Sequence, residues 1–165
     1  MNSANQAKEI HEQIVEFIDA GRSFALATIL KTDGSTPQEV GVKAVIDHTG
    51  KIWGTIGGGQ VEARAQQRTI EACKLKQPVV FDIQLAGAST DAAESICGGT
   101  MRLLIDTNAA KNRTAYARTA EAIARHQRGV LITSIFGAEP PKITVQWFQQ
   151  EDIPSSWQNI IKPKS

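Results

Sequence analysis

Three consecutive glycines stand between a β-rich run and a helical run, at residues 57–59, and they constrain the fold more than any other feature of the chain. One glycine supplies a backbone conformation that other residues resist. Three in succession remove every side chain from a short arc of backbone, so that a ligand or another segment can approach the amides. A second pair, Gly98-Gly99, follows Cys97 and sets a thiol beside similarly bare backbone. The two loops are therefore the primary candidates for a binding site.

Composition restricts the class of protein. The chain has 165 residues, a hydrophobic fraction of 41% and a charged fraction of 21%, values typical of one soluble globular domain. A formal net charge of +1 provides no electrostatic basis for binding nucleic acid or an anionic membrane. The polar N-terminus has no hydrophobic signal region, and no apolar run reaches the roughly 18 residues of a membrane span. Two cysteines are too few for a disulfide scaffold, so we expect a cytoplasmic protein with free thiols.

Hydrophobic periodicity predicts alternating helices and strands. Helices are expected over residues 4–20, 60–76 and from Asn108 or Asn112 to about residue 128, and strands over 23–30, 42–47, 52–56, 79–85, 101–106, 130–136 and 143–148. The second and third strands resemble a β-hairpin, which favours antiparallel pairing, whereas the later strand–helix–strand passages favour parallel pairing. The prediction is an α/β fold with a mixed sheet and flanking helices, in a single domain over residues 1–165 without a Rossmann domain.

The first glycine loop, Gly57-Gly58-Gly59, is expected to join a strand to a helix. Such a loop points free N–H groups and the positive end of the helix dipole at one spot, where phosphates bind. It matches neither a Walker A loop nor the Rossmann fingerprint. The alternative is a tight strand-to-helix corner without ligand contact. Glu62 lies in the first helical turn, and either caps the helix or accepts a hydrogen bond from a heterocycle N–H.

Cys97 precedes the second glycine loop, where neighbouring amides would stabilise a thiolate. Such a thiolate could ligate a soft metal or carry sulfur, although a buried cysteine is normally an inert small hydrophobe. Cys73 falls inside a predicted helix, so that it is expected to be inert. Zinc is not expected, because the two cysteines and three scattered histidines lack ligand spacing; His11 and His48 are expected to be solvated.

Ser35 and Thr36 stand in a turn cluster, where their hydroxyls either contact a phosphate or pterin or serve the turn itself. Lys43 and Arg102 are the nearest cations along the chain, and both are compatible with ordinary surface charges. The sequence has no Ser-His-Asp order, no paired catalytic carboxylates and no HExxH motif. It therefore has no self-evident catalytic apparatus.

Taken in order, these motifs resemble the XdhC/CoxI family of accessory proteins for xanthine dehydrogenase and carbon monoxide dehydrogenase. The residues that carry the resemblance are Ala27-Thr28-Ile29, Gly34-Ser35-Thr36-Pro37, Gly41, Gly54-Thr55-Ile56-Gly57-Gly58-Gly59, Val61-Glu62 and Cys97-Gly98-Gly99. The resemblance covers roughly residues 8–107, the family's N-terminal domain. Residues 108–165 are then an α/β extension with an irregular tail after Pro154.

The resemblance implies a chaperone that binds molybdenum cofactor (molybdopterin), protects it during sulfuration by a cysteine desulfurase and delivers it to an apo-hydroxylase. The implied cofactor-binding residues are Ser35, Thr36, Gly57, Gly58, Gly59, Glu62, Cys97, Gly98 and Gly99, with Cys97 at the metal. The implied partners are a molybdenum hydroxylase and a cysteine desulfurase. A separate Rossmann-domain protein and a second copy of the chain are kept open as further partners.

The chain departs from the family pattern at two glutamines. Gln60 stands where many relatives carry cysteine or a small residue, and Gln38 stands where a basic residue is frequent. These departures keep two alternatives open: an interaction module that docks to a dehydrogenase or a Rossmann partner without cofactor, and a sulfurtransferase-like step with Cys97 as the sulfur carrier. A chaperone without turnover of its own is favoured over an enzyme.

Overall fold

A computed structural model describes residues 8–85 and 98–161 of the chain. The order of elements alternates helices with strands, as the periodicity predicts. The elements are α1 (Ile10–Asp19), β1 (Phe24–Asp33), β2 (Lys43–Asp47), β3 (Ile52–Gly54), α2 (Gly59–Leu75), β4 (Val79–Gln84), β5 (Thr100–Asp106), a 3-10 turn (Ala109–Asn112), α3 (Arg113–Ala124), β6 (Gly129–Phe136), β7 (Lys142–Gln149), a second 3-10 turn (Gln150–Asp152) and α4 (Ser155–Gln158). No helix within the described ranges is both long and apolar enough to cross a bilayer.

Strands β1 to β5 form one sheet in the order β3-β2-β1-β5-β4. The α/β class, with helices flanking a sheet in one small domain, is confirmed, and so is the hairpin of β2 and β3. The expected parallel pairing is wrong, because every pair of neighbours in this sheet is antiparallel. Helix α2 does join two strands of the same direction, β3 and β4, but these lie at opposite edges with three strands between them.

The sheet buries both faces. One face packs against α2, which contributes small side chains, so that the helix lies close to the strands. The other face packs against α1 and residues of α3, β6 and β7. The first cluster is centred on Ala25, Ala27, Ile29, Ala44, Ile46, Val61, Ala65, Leu103 and Ile105, and the second on Ile14, Phe17, Leu26, Val45, Tyr116 and Val145.

Strands β6 and β7 form a separate two-stranded antiparallel sheet. Its first residue is a glycine for a steric reason: a Cβ on Gly129 would lie 2.3 Å from the ring of Trp147. Trp147 and Phe148 are half-buried. The segment after Pro154, for which an irregular tail is expected, begins with the single turn of helix α4.

The strand registers place all the candidate loops at one end of the five-stranded sheet. Asp33 at the end of β1 lies opposite Thr100 at the start of β5, and Thr100 also lies opposite Gln84 at the end of β4. On the other side, Ala44 near the start of β2 lies opposite Gly54 at the end of β3. We call this end, which carries residues 34–42 and 55–58 together with Leu85, Gly98 and Gly99, the glycine end of the sheet.

Candidate functional site

The carboxylate of Glu62 closes the first glycine loop from within. Its Oε1 accepts hydrogen bonds from Thr55 Oγ1 at 2.6 Å, from the Gly58 amide at 3.0 Å and from the Ile56 amide at 3.3 Å. Thr55 Oγ1 in turn accepts from the Gly57 amide at 3.2 Å. Glu62 therefore has the capping role, since it satisfies loop donors and places negative charge at the positive end of α2.

The three glycines of this loop have two different reasons to be glycine. Gly57 has a φ of +122°, and a Cβ there would lie 2.5 Å from Cγ of Pro37, so that this residue is required for packing. Gly58 and Gly59 also have positive φ, but a Cβ on either would meet no described atom within 4 Å. The loop thus has a packed beginning and an open arc at Gly58-Gly59, where a ligand could approach the backbone.

The second glycine loop is tightly packed at Gly99. A Cβ on this residue would lie 2.4 Å from the carbonyl oxygen of Ser35 and 2.6 Å from that of Asp33. Its amide donates to Ser35 O at 3.1 Å, and its carbonyl accepts from the Leu85 amide at 2.9 Å. Gly99 is therefore glycine because two backbone segments meet there, whereas Gly98 is exposed.

Both glycine loops contact the turn of residues 33–37, Gly57 through Pro37 and Gly99 through the carbonyl oxygens of Asp33 and Ser35. The hydroxyl of Thr36 serves the turn itself, since it donates to Gln38 O at 3.2 Å. Ser35 is exposed. The structure thus assembles the described members of the predicted set around one turn at the glycine end.

The structure describes only one of the two cysteines. Cys97, the predicted metal ligand, lies outside the described residues. Cys73 is half-buried on α2, and burial followed by the charge of Asp47 raises the pKa of its thiol, as suits an inert cysteine. Within residues 8–85 and 98–161, no cluster of three or more His, Cys, Asp or Glu side chains has the arrangement of a metal site.

Gln60, one of the two glutamines that depart from the family pattern, spans two elements. Its Nε2 donates a long hydrogen bond of 3.5 Å to the carbonyl of Gln84, which links the first turn of α2 to the end of β4. A side chain at this position therefore reaches the end of β4.

Two titratable residues near the glycine end, Lys43 and His11, are more buried than the sequence analysis predicts. Lys43 is half-buried, and burial lowers its pKa to about 8, so that it is not an ordinary surface cation. His11 is also half-buried rather than solvated, with its Nδ1 2.6 Å from Oε1 of Glu9. The burial of Lys43 could have been predicted from strand alternation, because Lys43 lies two residues before the apolar Val45 and so shares its face of β2. Arg102, by contrast, is exposed and paired with Asp82 at 2.8 Å.

Comparison with known proteins identifies the family. Residues 17–84 of this chain match the XdhC and CoxI family, so the resemblance carried by the glycine motifs is confirmed. The matched range includes the turn at 33–37, the first glycine loop and Glu62, and it ends before Cys97. The family is associated with accessory roles in the maturation of molybdenum hydroxylases, which contain molybdenum cofactor.

Two individual proteins are similar to this chain. The Escherichia coli K12 protein YqeB, itself uncharacterised, is 32% identical over 113 residues, which are 68% of this chain and 19% of YqeB. A crystal structure described as a xanthine dehydrogenase from Bacillus halodurans superposes with a TM-score of 0.63 at 17% identity, over 84% of this chain and 44% of that one. The chain thus spans about a fifth of the curated relative that it matches, and the structural likeness supports the fold alone.

Proposed function

We propose that this chain binds molybdenum cofactor as an accessory protein, during its sulfuration and insertion into a molybdenum hydroxylase. Family membership supports the accessory role. The observation that carries the cofactor-binding role is the open arc at Gly58-Gly59, where backbone without side chains begins a helix beside the turn of Ser35 and Thr36. A phosphate-bearing pterin has the chemistry that such an arc suits.

The donors of the first loop divide into two groups. The amides of Ile56 and Gly58 already donate to Glu62, so they would serve a ligand only if that carboxylate moved away. The amides of Gly59 and Val61 find no acceptor among the described residues, and they lie at the positive end of the α2 dipole. We assign the cofactor phosphate to this second pair, with Ser35 supplying a hydroxyl.

The remaining roles concern the metal end of the cofactor. When bound, the cofactor would supply a molybdenum–dithiolene centre with an exchangeable sulfur. The thiolate of Cys97 would contact that end, since it immediately precedes Gly98 and the tightly held Gly99. Gly99 would act indirectly, because its backbone contacts hold the start of β5 against the turn that carries Ser35. The acceptor would be a molybdenum hydroxylase and the sulfur source a cysteine desulfurase.

The direct test is an anaerobic titration of the purified chain with molybdenum cofactor, with bound molybdenum measured after gel filtration. Wild type, Cys97→Ala and Cys73→Ala would be compared. Cys73→Ala is a matched control because it removes the other thiol, which is half-buried on α2. We expect saturable binding by wild type and Cys73→Ala and at least tenfold weaker binding by Cys97→Ala. Equal binding by all three would remove Cys97 from the site.

A docking module without cofactor is the second candidate, and one observation favours it. The chain matches only part of longer proteins, so similar regions occur beside further polypeptide. Val40, 53% exposed in the loop that follows the turn, offers an apolar contact at the glycine end. Absence of cofactor binding by wild type, together with co-elution with a hydroxylase or a Rossmann-domain protein, would establish this function instead. The sulfurtransferase-like step with Cys97 stays a prediction.

A further inference from the structure

Lys43 lies at the glycine end but on the opposite face of the sheet from α2. Its neighbours Ala44 and Ile46 along β2 belong to the core beneath α2, whereas Val45 belongs to the core beneath α1. Since successive side chains of a strand alternate between faces, Lys43 shares the α1 face with Val45. It therefore belongs to a different site from the open arc at Gly58-Gly59.

The ammonium group of Lys43 has few partners for a half-buried charge. Its Nζ donates to the carbonyl of Gly41 at 3.0 Å, and within the described ranges no carboxylate lies within ion-pair distance of it. Lys8 and Lys31, by comparison, are exposed and paired with Glu16 and Asp33. A lysine that loses water without gaining a carboxylate is destabilised in its charged form. Consistent with this geometry, burial lowers the pKa of Lys43 to about 8.

An oriented imidazole lies within electrostatic range of this amine. Oε1 of Glu9 is 2.6 Å from Nδ1 of His11, and Oε2 of Glu9 accepts from the His11 amide at 2.8 Å, so the same carboxylate caps α1 and orients the ring. With Nδ1 engaged by Glu9, the other ring nitrogen is the one available as a base. Burial lowers the pKa of His11; Glu9 opposes this shift and the charge of Lys43 adds to it.

From this arrangement of Glu9, His11, Lys43 and the Gly41 carbonyl, we propose that Lys43 is a site of covalent acylation by activated acyl donors, namely acyl phosphates or thioesters. The Nζ lone pair attacks the acyl carbon and forms an amide bond. The bond from that carbon to the phosphate or thiolate breaks, and the leaving group departs with its electron pair. The proton lost from Nζ passes to His11 or to water. No oxidant or reductant is needed.

Acylation would also change the electrostatics of α1. The amide product carries no charge, so the cation that acts on His11 disappears while Glu9 remains. Helix α1 contributes the titratable groups Glu9 and His11 to this cluster. Strands β1 and β3, which lie on either side of β2, contribute none at this level, since Thr28 lies opposite Lys43 and Gly54 lies opposite Ala44. Loss of the lysine charge therefore raises the pKa of His11.

The test is competitive acetylation of the whole chain with limiting acetyl phosphate, and in a parallel arm with S-acetylglutathione. Site-resolved mass spectrometry would follow each lysine from pH 6.5 to 10.5. Exposed Lys74, on the last turn of α2, is the internal reference. At pH 7.5 we expect Lys43 to react about tenfold faster than Lys74, because its larger free-amine fraction outweighs its lower intrinsic nucleophilicity. The Lys43 rate should level off above pH 8, once most of its amine is uncharged.

Each outcome decides the proposal. A Lys43 rate at pH 7.5 equal to or below that of Lys74, or a Lys43 rate that still rises steeply up to pH 10, would overturn it. A fast rate with one donor alone would identify that donor as the relevant class. Lys43→Arg should remove the fast-labelled peptide and nothing else. Lys43→Gln, a mimic of the acylated state, should raise the His11 titration midpoint measured by NMR, and an unchanged midpoint would contradict the assigned contact.

Discussion

The two glycine loops have similar sequences and contrasting structures. At Gly99 the chain itself fills the space that a side chain would take, because two backbone carbonyl oxygens lie too close to the Cβ position. At Gly58 and Gly59 the same absence leaves open space, and the nearby carboxylate of Glu62 occupies part of the loop instead. A glycine run therefore indicates that something approaches the backbone, and the tertiary structure determines whether this is the chain itself or solvent-accessible space.

Gly99→Ala is the largest expected effect and tests the packed loop. Its Cβ would clash with backbone oxygens of Asp33 and Ser35, which cannot rotate away, so we expect a loss of about 2–3 kcal/mol in the free energy of unfolding. Urea denaturation measures it. Gly21→Ala is the control, since Gly21 has a φ of +65° with no atom within 4 Å of the Cβ position. Gly21→Ala measures the cost of a positive φ alone, about 1 kcal/mol, so a loss at Gly99 no larger than this would mean that its steric contacts matter less than expected.

Gly58→Ala tests the open arc. With φ +68° and ψ −173°, Gly58 lies in a region of backbone conformation that is essentially restricted to glycine, so alanine should cost about 1–3 kcal/mol, but no neighbour obstructs the methyl group. Gly137→Ala is the control, with a positive φ of +73° and no atom within 4 Å, in the turn between β6 and β7. We expect a loss of stability in both variants and a loss of cofactor binding at Gly58 alone. Equal cofactor binding by both variants would mean that Gly58 and Gly59 form only a strand-to-helix corner without ligand contact.

Glu62→Ala separates the carboxylate from the backbone of the open loop. Removing Oε1 leaves the donors of Thr55, Ile56 and Gly58 without their acceptor, although water reaches part of the loop, so we expect a loss of about 1–2 kcal/mol. Glu62→Gln keeps an acceptor and should lose about half as much, mainly through the helix dipole. Thermal unfolding of the two variants would measure the difference. If Glu62→Gln were as damaged as Glu62→Ala, charge rather than hydrogen bonding would dominate.

Asp106→Asn is the smallest expected effect. It extends the comparison to a buried carboxylate with only one of its two oxygens hydrogen-bonded. Oδ1 of Asp106 accepts from the Asn108 amide at 2.8 Å, whereas Oδ2 is buried and has no partner among the described residues. Burial raises the pKa of Asp106, so the stability it contributes at low pH is lost as the pH rises through its folded-state pKa. The side-chain amide of asparagine carries no charge, so the substitution removes the cost of burying an ionised carboxylate.

The expected result is a free energy of unfolding slightly higher than wild type at pH 7, with the difference shrinking towards pH 4. Urea denaturation at the two pH values would measure it. Lower stability of Asp106→Asn at pH 7 would mean that the charged carboxylate has a stabilising partner, and that the unpartnered oxygen is not the dominant feature of this residue.

Local sequence signals predicted most of the elements. Apolar periodicity located α2 and all seven strands within a few residues, because helical and strand spacing depend on neighbouring positions alone. It also located α1, although this helix begins at Ile10 and not at the expected residue 4. The family followed from the order of short glycine motifs, which are also local. The expected parallel pairing failed because periodicity does not report which strands become neighbours. Three strands lie between β3 and β4, which α2 connects.

The sequence by itself determined the candidate residues at the glycine end and the family to which they belong. It did not distinguish Gly99, filled by backbone, from Gly58, left open, because that difference depends on contacts with residues more than twenty positions away. Nor did it reveal that Lys43 is half-buried beside His11, since the burial of a charge depends on how α1 lies against β2. Composition and spacing act along the chain, whereas steric closure and desolvation arise only when distant segments meet.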